Sequence, residues 1–466
     1  MTSRASGGGG TLLRTLGFTD LVMLTLGTVI GSGIFLVPAI VLRQTGERFG
    51  VAMAVWAVGG VVSFLGALTY AELGASKPDA GGLYSYIRDA FGPLPAFLYG
   101  WTSFLVIASG SCAALAVAFS NYLTQLVPLG AVGARLVSVL VVAVVATINV
   151  IGARRSSTVE NWATGAKVGA LLVLSILLVA IGRGSFVSTP ATSAVAATGL
   201  SVFTGAGAAM IGVLWAYEGW QYVTFAAGET RDPQRVFPRA IALATAALIV
   251  LYVLANVGYI AALGVHGAAT SDHVAADAMR AVFGPASGTA LVVLVLVSIF
   301  SAANGITLGA PRMYYAMARD GLFFARLARV NSRFGTPVAA IVLYAVWSAL
   351  LAVTGTFQQL LTYVVFAGWI FYALGALSVF GSRRKFPERP RPFLTPLYPV
   401  TPAVFAIAAG LLVANTLATQ TREALIGLAV VALGIPIFFA WRMHMRKHPL
   451  TVEPPPTELT DASTVS

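Results

Sequence analysis

Three features of this 466-residue chain place helix-breaking glycines or charged side chains inside long apolar stretches. The first is Gly31-Ser32-Gly33, in the uncharged run 21–42. Glycine costs about 1 kcal/mol relative to alanine in a helix, so a helix can unwind there. The amides that this frees, at the start of the following half-helix, favour a carboxylate. Close packing through small residues is an equally supported alternative, because Gly27 and Gly31 fit a G-x-x-x-G pattern.

The second feature is Glu218, in an apolar span predicted over 199–228. It lies about ten residues from the end of the span, which corresponds to a depth of roughly 15 Å. A charge at that depth is costly and indicates a functional site. Gly219 follows it, and Trp215 and Tyr217 precede it. The alternative is a buried carboxyl group that is protonated or paired for structural reasons.

The third feature is Lys167, in a span predicted over 157–182. Its depth is again roughly 15 Å, too deep for the side chain to snorkel easily to either surface. We expect it to point inward, beside the Gly31–Gly33 segment, where its charge replaces a coupling cation or exchanges a proton. The alternative is a structural ion pair with Glu160 or Glu218.

The composition excludes an ordinary water-soluble enzyme. Hydrophobic residues make up 58% of the chain, charged residues only 10%, and the mean hydropathy is +0.84, whereas soluble chains are about 25% charged. The single cysteine, Cys112, excludes disulfide frameworks and cysteine-based metal sites, and no histidine has ligand spacing within a span. We therefore predict a polytopic all-α membrane protein with no cofactor and no metal centre, whose net charge of +12 reflects cytoplasmic loops rather than nucleic-acid binding.

Apolar segments long enough to cross a bilayer predict twelve transmembrane helices. The predicted spans are 17–41, 50–74, 93–125, 133–152, 157–182, 199–228, 237–263, 286–316, 337–353, 359–380, 400–419 and 423–445.

Basic residues predict the orientation of these spans. With the N-terminus inside, 22 of the 29 lysines and arginines fall on the cytoplasmic side, six outside, and Lys167 within a span. This bias predicts that the N-terminal tail, 1–16, and the C-terminal tail, 446–466, are both cytoplasmic. We expect the protein in the plasma (inner) membrane, with the lipid bilayer as its surroundings.

The two interrupted spans occupy corresponding places in two halves of the chain, five helices apart. Such a pair is the best sequence indication of a transporter built from inverted repeats, with the substrate between the breaks. We predict one repeat over 17–182, a second over 199–380 and two further helices over 400–445. No residue-level similarity between the halves is convincing, so the repeat rests on the order of apolar segments.

Several motifs make the chain resemble the amino acid–polyamine–organocation (APC) transporter superfamily, and within it the bacterial relatives of the L-type amino acid transporters. The motifs are GTVIGSGIFLVPA at 27–39, AELGASKPDAGGLYSYIRDAFG at 71–92, LWAYEGWQ at 214–221, ETRDPQRVFPRAI at 229–241, PRMYYAMARDG at 311–321 and RRKFPERPRPF at 383–393. Their order and spacing together are specific to the superfamily, and they cover roughly residues 12–445. The resemblance implies a LeuT-like fold, with helices 1 and 6 unwound at mid-membrane around an amino-acid site.

The resemblance also implies roles for single residues. The amides of Ser32 and Gly33, helped by Gly31, would hold the substrate carboxylate. The ammonium would be held by backbone carbonyls on both breaks: Val29, Ile30, Trp215, Ala216 and Glu218. Tyr217 and Gly219 complete the expected substrate-binding set. Trp215 would cover the substrate, and Lys167 matches the lysine that replaces a sodium ion in sodium-independent members.

The hypothesis from sequence is therefore a secondary transporter of L-amino acids that works by alternating access, without sodium, by exchange or by proton symport. Neutral substrates are expected, because no second buried charge offers a partner for a charged side chain. Glu218 departs from the family pattern, which often has Asp or Gly there, and the alternative is a cationic amino acid or polyamine carrier that uses Glu218. An intramembrane enzyme is disfavoured, since no span holds a His/Cys cluster or paired carboxylates. A partner subunit is left open, but Cys112 lies inside a span, so an intersubunit disulfide is not expected.

Overall fold

A computed structural model describes residues 14–187 and 199–447, and within them the regular elements are helices. The α-helices are α1 Phe18–Val29, α2 Gly33–Gln44, α3 Phe49–Ser76, α4 Gly82–Phe91, α5 Pro93–Thr102, α6 Ala108–Leu123, α7 Ala131–Ile151, α8 Ala153–Ile181, α9 Gly199–Ala216, α10 Pro233–Thr270, α11 Val274–Phe283, α12 Pro285–Arg319, α13 Val338–Thr354, α14 Phe357–Lys385, α15 Val400–Thr419 and α16 Thr421–Lys447. A π-helical turn over Ser103–Ile107 joins α5 to α6, and 3₁₀ segments cover Trp220–Glu229 and Ala325–Ala328.

In the described part of the chain, nine helical segments are long and apolar enough to cross a membrane, or ten if α1 and α2 count as one bent span. The protein is thus a multi-pass helical membrane protein. Two further predicted spans have shorter helices. The span 337–353 corresponds to the 17-residue apolar helix α13, and the span 199–228 divides into α9 and the 3₁₀ segment Trp220–Glu229. Twelve membrane crossings remain a prediction.

The predicted tails fall largely outside the described residues. Of the segments 1–16 and 446–466, the structure describes only 14–16 and 446–447. Part of the loop before α9 also lies outside them.

Contacts between helix ends and loops define two ends of the bundle. One end, here called the basic end, is closed by three polar pairs: Arg154–Asp20 at 3.0 Å, Arg383–Glu72 at 2.8 Å and Tyr84–Asp320 at 2.8 Å. The opposite end is closed by two others: Arg43 to the Ala269 carbonyl at 2.8 Å and His266–Glu47 at 3.0 Å. Helix ends and loops on the predicted cytoplasmic side therefore meet at the basic end, and those on the predicted external side meet at the other.

Two short helices, α4 and α11, reveal a local repeat that the sequence comparison of the halves missed. Both end in the motif Arg-x-x-Phe-Gly-Pro, at 88–93 and at 280–285. The glycines adopt nearly the same backbone, with φ 92° and ψ −175° at Gly92 and φ 86° and ψ 172° at Gly284, a region that favours glycine. The helix α4 contributes to the basic end and α11 packs near the opposite end. The division of the chain into two inverted repeats stays a prediction.

A buried ion pair joins the 3₁₀ segment to α12. Glu229 and Arg312 are 2% and 1% exposed, and the guanidinium bonds the carboxylate through Nε and Nη2. We expect Glu229→Gln to lower the free energy of unfolding by about 3–5 kcal/mol, because it leaves a buried guanidinium without its counter-charge. Thermal unfolding in detergent measures this change. The exposed pair of Asp277 and Arg280 supplies the control, since Asp277→Asn should cost no more than about 1 kcal/mol. Equal effects of the two changes would contradict the expectation.

Candidate functional site

The first helix is interrupted where the glycine pair predicts. The helix α1 ends at Val29, α2 begins at Gly33, and their axes differ by 44°. Between them, Ile30 has φ −75° and ψ 82°, and the Gly31 amide turns back to the Val29 carbonyl at 2.8 Å. The first amides of α2 therefore start a new helix and have no intrahelical acceptors.

A second interruption follows α9. That helix ends at Ala216, residues 217–219 form a turn, and the 3₁₀ segment begins at Trp220. Gly219 has φ 131°, a conformation that other residues rarely adopt. A side chain there would also meet the backbone of Thr28, with a β-carbon only 2.7 Å from the Thr28 carbonyl carbon. Glycine is thus required both by the turn and by its close approach to α1.

The two interruptions contact each other. The Thr28 hydroxyl donates to the Gly219 carbonyl at 3.1 Å, and a β-carbon on Gly33 would lie 2.6 Å from the Cα atom of Ala216. Between them is a cavity lined by Thr28, Val29, Gly31, Ser32, Gly33, Ser111, Leu115, Trp215, Glu218, Gly219, Tyr222 and Ile306. Its volume of about 20 Å³ suits a single water molecule. A ligand as large as an amino acid therefore requires the walls to move apart.

Most residues of the predicted substrate set line this cavity: Val29, Gly31, Ser32, Gly33, Trp215, Glu218 and Gly219. The others lie behind it. Ala216 abuts Gly33, and Tyr217 packs against the rings of Trp56 and Tyr252, at 5.9 and 5.0 Å. The structure thus brings the two breaks together but turns Tyr217 away from the space between them.

Two carbonyls expected to receive an ammonium group already accept hydrogen bonds. The Val29 carbonyl accepts from the Tyr252 hydroxyl at 3.0 Å. The Ile30 carbonyl accepts from both Lys167 and Ser298, each at 2.8 Å, which uses its two lone pairs. The Ile30 carbonyl is therefore directed toward Lys167 rather than toward the cavity.

Lys167 is fully buried beside the first break. Its ammonium donates to the carbonyls of Gly27 at 2.7 Å, Ile30 at 2.8 Å and Ser298 at 3.3 Å, which occupies all three donors. Two of these acceptors belong to the C-terminal end of α1, where the helix dipole favours a cation. Within the described chain no carboxylate bonds Lys167, so the alternative of a direct ion pair with Glu160 or Glu218 is not observed.

Glu218 is 8% exposed and presents one oxygen to the cavity without a partner. Its Oε1 atom accepts from the Tyr372 hydroxyl at 2.8 Å and from Gln221 at 3.4 Å. Its Oε2 atom, the Ser32 hydroxyl and the Tyr222 hydroxyl have no hydrogen-bond partner among the described residues. Three unsatisfied polar atoms around one small cavity indicate a site for a polar ligand, because buried polar groups are normally paired.

Sequence reasoning missed the residues that other helices bring to the cavity. Ser111 and Leu115 come from α6, Ile306 comes from α12, and Tyr372 on α14 reaches Glu218. A polar residue in an apolar run was the only available signal, and Ser111 carried it. Which helix faces which is a tertiary property that spacing along one helix cannot supply.

As for metals, no group of three or more His, Cys, Asp or Glu side chains that could hold an ion occurs in 14–187 or 199–447.

Comparison with known proteins agrees with a helical membrane protein of this kind. The family model described as amino acid permease matches residues 16–436. The chain is 30% identical to the b(0,+)-type amino acid transporter 1 of Mus musculus over 440 residues, which cover 92% of this chain and 88% of that protein. It is 29% identical to the cystine/glutamate transporter of Homo sapiens, with coverage of 90% and 83%. It is 31% identical to the large neutral amino acids transporter small subunit 2 of Mus musculus, with coverage of 93% and 82%.

The fold and the site together define the class of protein. It is a polytopic helical bundle in which two interrupted helices surround a polar cavity. The chain belongs to the amino acid permease family of the amino acid–polyamine–organocation group. Its relatives are transporters, and it belongs with them rather than with enzymes.

Proposed function

We propose that this chain is a secondary active transporter of neutral L-amino acids that works by alternating access and without sodium. The observation that carries the proposal is the meeting of the two helix interruptions at one cavity with unsatisfied polar groups. Relatives named as amino acid transporters, which align over about nine tenths of the chain, support the substrate class.

The helix ends around the cavity have opposite polarity, which suits a zwitterion. The N-terminus of α2, at Ser32 and Gly33, offers free amides for the carboxylate. The C-terminus of α9, at Ala216 and Glu218, offers carbonyls for the ammonium. Because the Ile30 carbonyl already accepts two hydrogen bonds, we assign the substrate ammonium group mainly to the carbonyls of the second break. Trp215, which lines the cavity and contacts Phe357 ring to ring at 6.2 Å, would cover the substrate.

The proposed cycle follows from the size of the cavity. Since about 20 Å³ does not admit an amino acid, the state described here is closed, and the half-helices must separate to open it. Twelve crossings in two inverted repeats, with helices 1 and 6 unwound at mid-membrane, would let one group of helices rock against the other. The basic end would be cytoplasmic, with both termini there and the protein in the plasma membrane.

Uptake into proteoliposomes tests the proposal. The panel of labelled compounds is alanine, leucine, glutamate, arginine and putrescine. We expect saturable, stereospecific uptake of a neutral L-amino acid from it, with equal rates in sodium and choline buffers. Loading the liposomes with unlabelled amino acid, or imposing a pH gradient, distinguishes exchange from proton symport. Uptake that is non-saturable, or that depends on sodium, would contradict the proposal.

A cationic amino acid or polyamine is the second candidate substrate, favoured by the unpartnered Oε2 atom of Glu218. If Glu218 binds a cationic side chain, Glu218→Gln should reduce inhibition by arginine about tenfold or more, since a charged hydrogen bond is worth about 1.5–3 kcal/mol. Inhibition by leucine should change little. Competition against one labelled substrate measures both. Equal arginine inhibition in the variant and the original chain would leave neutral transport as the function.

A further inference from the structure

A second buried carboxylate, Glu160, lies close to the first helix break and takes no part in the cavity. It is on α8, is 1% exposed and accepts from Ser301 at 2.8 Å, Asn304 at 3.0 Å and Thr164 at 3.1 Å. We call Glu160, Thr164, Ser301 and Asn304 the Glu160 cluster. Sequence reasoning considered Glu160 only as an alternative ion-pair partner for Lys167.

The surroundings of Glu160 are arranged for an ionised carboxylate. The oxygen of the Asn304 amide accepts from Asn149 at 3.0 Å and from Ser156 at 3.2 Å, so its nitrogen is directed at Glu160. Ser301 and Thr164 can both donate hydroxyl protons. Three donors surround the carboxylate, and its bonds require no proton on it. The cluster can therefore stabilise an ionised Glu160 inside the bundle.

Gly27 of α1 lies between the Glu160 carboxyl group and Lys167. Its carbonyl accepts from Lys167, while its Cα atom is so close to Glu160 and Thr164 that any side chain would overlap both. Lys167 follows Glu160 by seven residues, or two helical turns, so both project from the same face of α8. One turn of α1 thus lies between Lys167, which bonds its carbonyls, and the Glu160 carboxyl group, which packs against Gly27.

We propose that Glu160 is a positioning residue that, as the counter-charge of Lys167, clamps the first half of the broken helix against α8 and α12 in the closed state. The inference rests on the proposed transport function for its purpose, since α1 ends at the cavity and must move when the cavity opens. A buried cation is strongly destabilised without a compensating charge, so Lys167 and Glu160 depend on each other although they are not in direct contact.

Unfolding measurements on three variants test the mutual dependence. Glu160→Gln and Lys167→Met each leave one uncompensated charge, and the double variant leaves none. We expect each single variant to lower the apparent melting temperature in detergent and the double variant to be at least as stable as the weaker single variant, so the effects are not additive. Additive losses in the double variant would overturn the proposed coupling. Glu160→Asp, which keeps the charge, should lie closer to the unmodified chain than Glu160→Gln does.

Thiol labelling tests the clamp itself and does not depend on uptake. The only native cysteine, Cys112, is buried, and Cys112→Ala provides a background for the reporter Thr25→Cys on the buried face of α1. We expect a membrane-impermeant maleimide, applied to purified protein, to label the reporter about tenfold faster when Glu160→Gln is added, which corresponds to a loss of about 1.4 kcal/mol in the closed state. Glu160→Asp should label at nearly the original rate.

The proposed clamp and the proposed transport function are overturned by different results. If the Thr25→Cys reporter is labelled at the same rate with and without Glu160→Gln, the clamp is overturned, whether or not the protein transports amino acids. Absence of uptake by the unmodified chain would overturn the proposed function and leave the labelling result standing.

Discussion

Gly33→Leu should abolish amino acid uptake while leaving the protein inserted and folded. A β-carbon at this position would lie 2.6 Å from the Cα atom of Ala216 and 2.8 Å from its Cβ atom, so it would force α2 away from α9. The same side chain would cover the first amides of α2, which are proposed to hold the carboxylate. We expect a loss of about a hundredfold or more in uptake, since charged hydrogen bonds of about 1.5–3 kcal/mol each are removed together.

The control for this change is Gly169→Leu on α8. A β-carbon there would meet nothing within 4 Å, so leucine should be accommodated without displacing neighbouring atoms. Expression level and the elution profile in detergent establish that both variants insert and fold. Normal uptake by Gly33→Leu, with Gly169→Leu also active, would show that the α2 amides do not bind the substrate.

Lys167→Met should have the second largest effect. Methionine fills a similar volume but leaves the Gly27 carbonyl without the ammonium and leaves the Ile30 carbonyl with Ser298 as its remaining donor. Each unpaired buried acceptor costs about 1–3 kcal/mol, and the charge at the end of α1 is lost as well. We expect uptake to fall by about a hundredfold and the first break to lose its fixed geometry.

Ser298→Ala provides a graded comparison for Lys167→Met. It removes a single hydroxyl, whose bond to the Ile30 carbonyl is 2.8 Å long, and leaves the ammonium in place. A loss of about fivefold is expected, in line with the roughly 1 kcal/mol of one neutral hydrogen bond. Uptake in sodium and in choline buffers should then be measured for all three proteins. Full activity of Lys167→Met would contradict the role proposed for the lysine, and so would a sodium requirement for uptake by the unmodified chain.

The interrupted helices illustrate what a single sequence can predict. Gly31 and Gly33 flank one serine in an otherwise apolar run, and the structure ends α1 at Val29 and begins α2 at Gly33. Gly219 follows Glu218, and α9 ends just before this pair. In both cases the signal is local, because glycine changes the backbone preference at its own position.

The residues that the sequence reasoning missed depend on contacts between distant segments. Ser111 and Ile306 reach the cavity because α6 and α12 pack beside the breaks, which no spacing within either helix indicates. Glu160 entered the sequence analysis only as a possible ion-pair partner of Lys167, whereas the bundle buries it against Gly27. Tyr217 was placed in the site by its neighbours in the motif, but it packs on Trp56.

The local repeat is a different kind of omission, since the sequence did contain it. The motif Arg-x-x-Phe-Gly-Pro occurs at 88–93 and 280–285, but six residues are too few to stand out between the halves 17–182 and 199–380. The backbone at Gly92 and Gly284 makes the correspondence visible, because both glycines end a ten-residue helix with nearly the same dihedral angles. Short amphipathic helices such as α4 and α11 also escape a search for long apolar spans.

An experimental structure of the protein with its best L-amino acid substrate bound is the most direct test of the central claim. We predict the carboxylate within hydrogen-bond distance of the Ser32 and Gly33 amides, the ammonium at the carbonyls that follow α9, and residues 30–32 and 217–219 outside regular helix. Continuous helix through either segment, or an amino acid bound elsewhere in the bundle, would contradict the account.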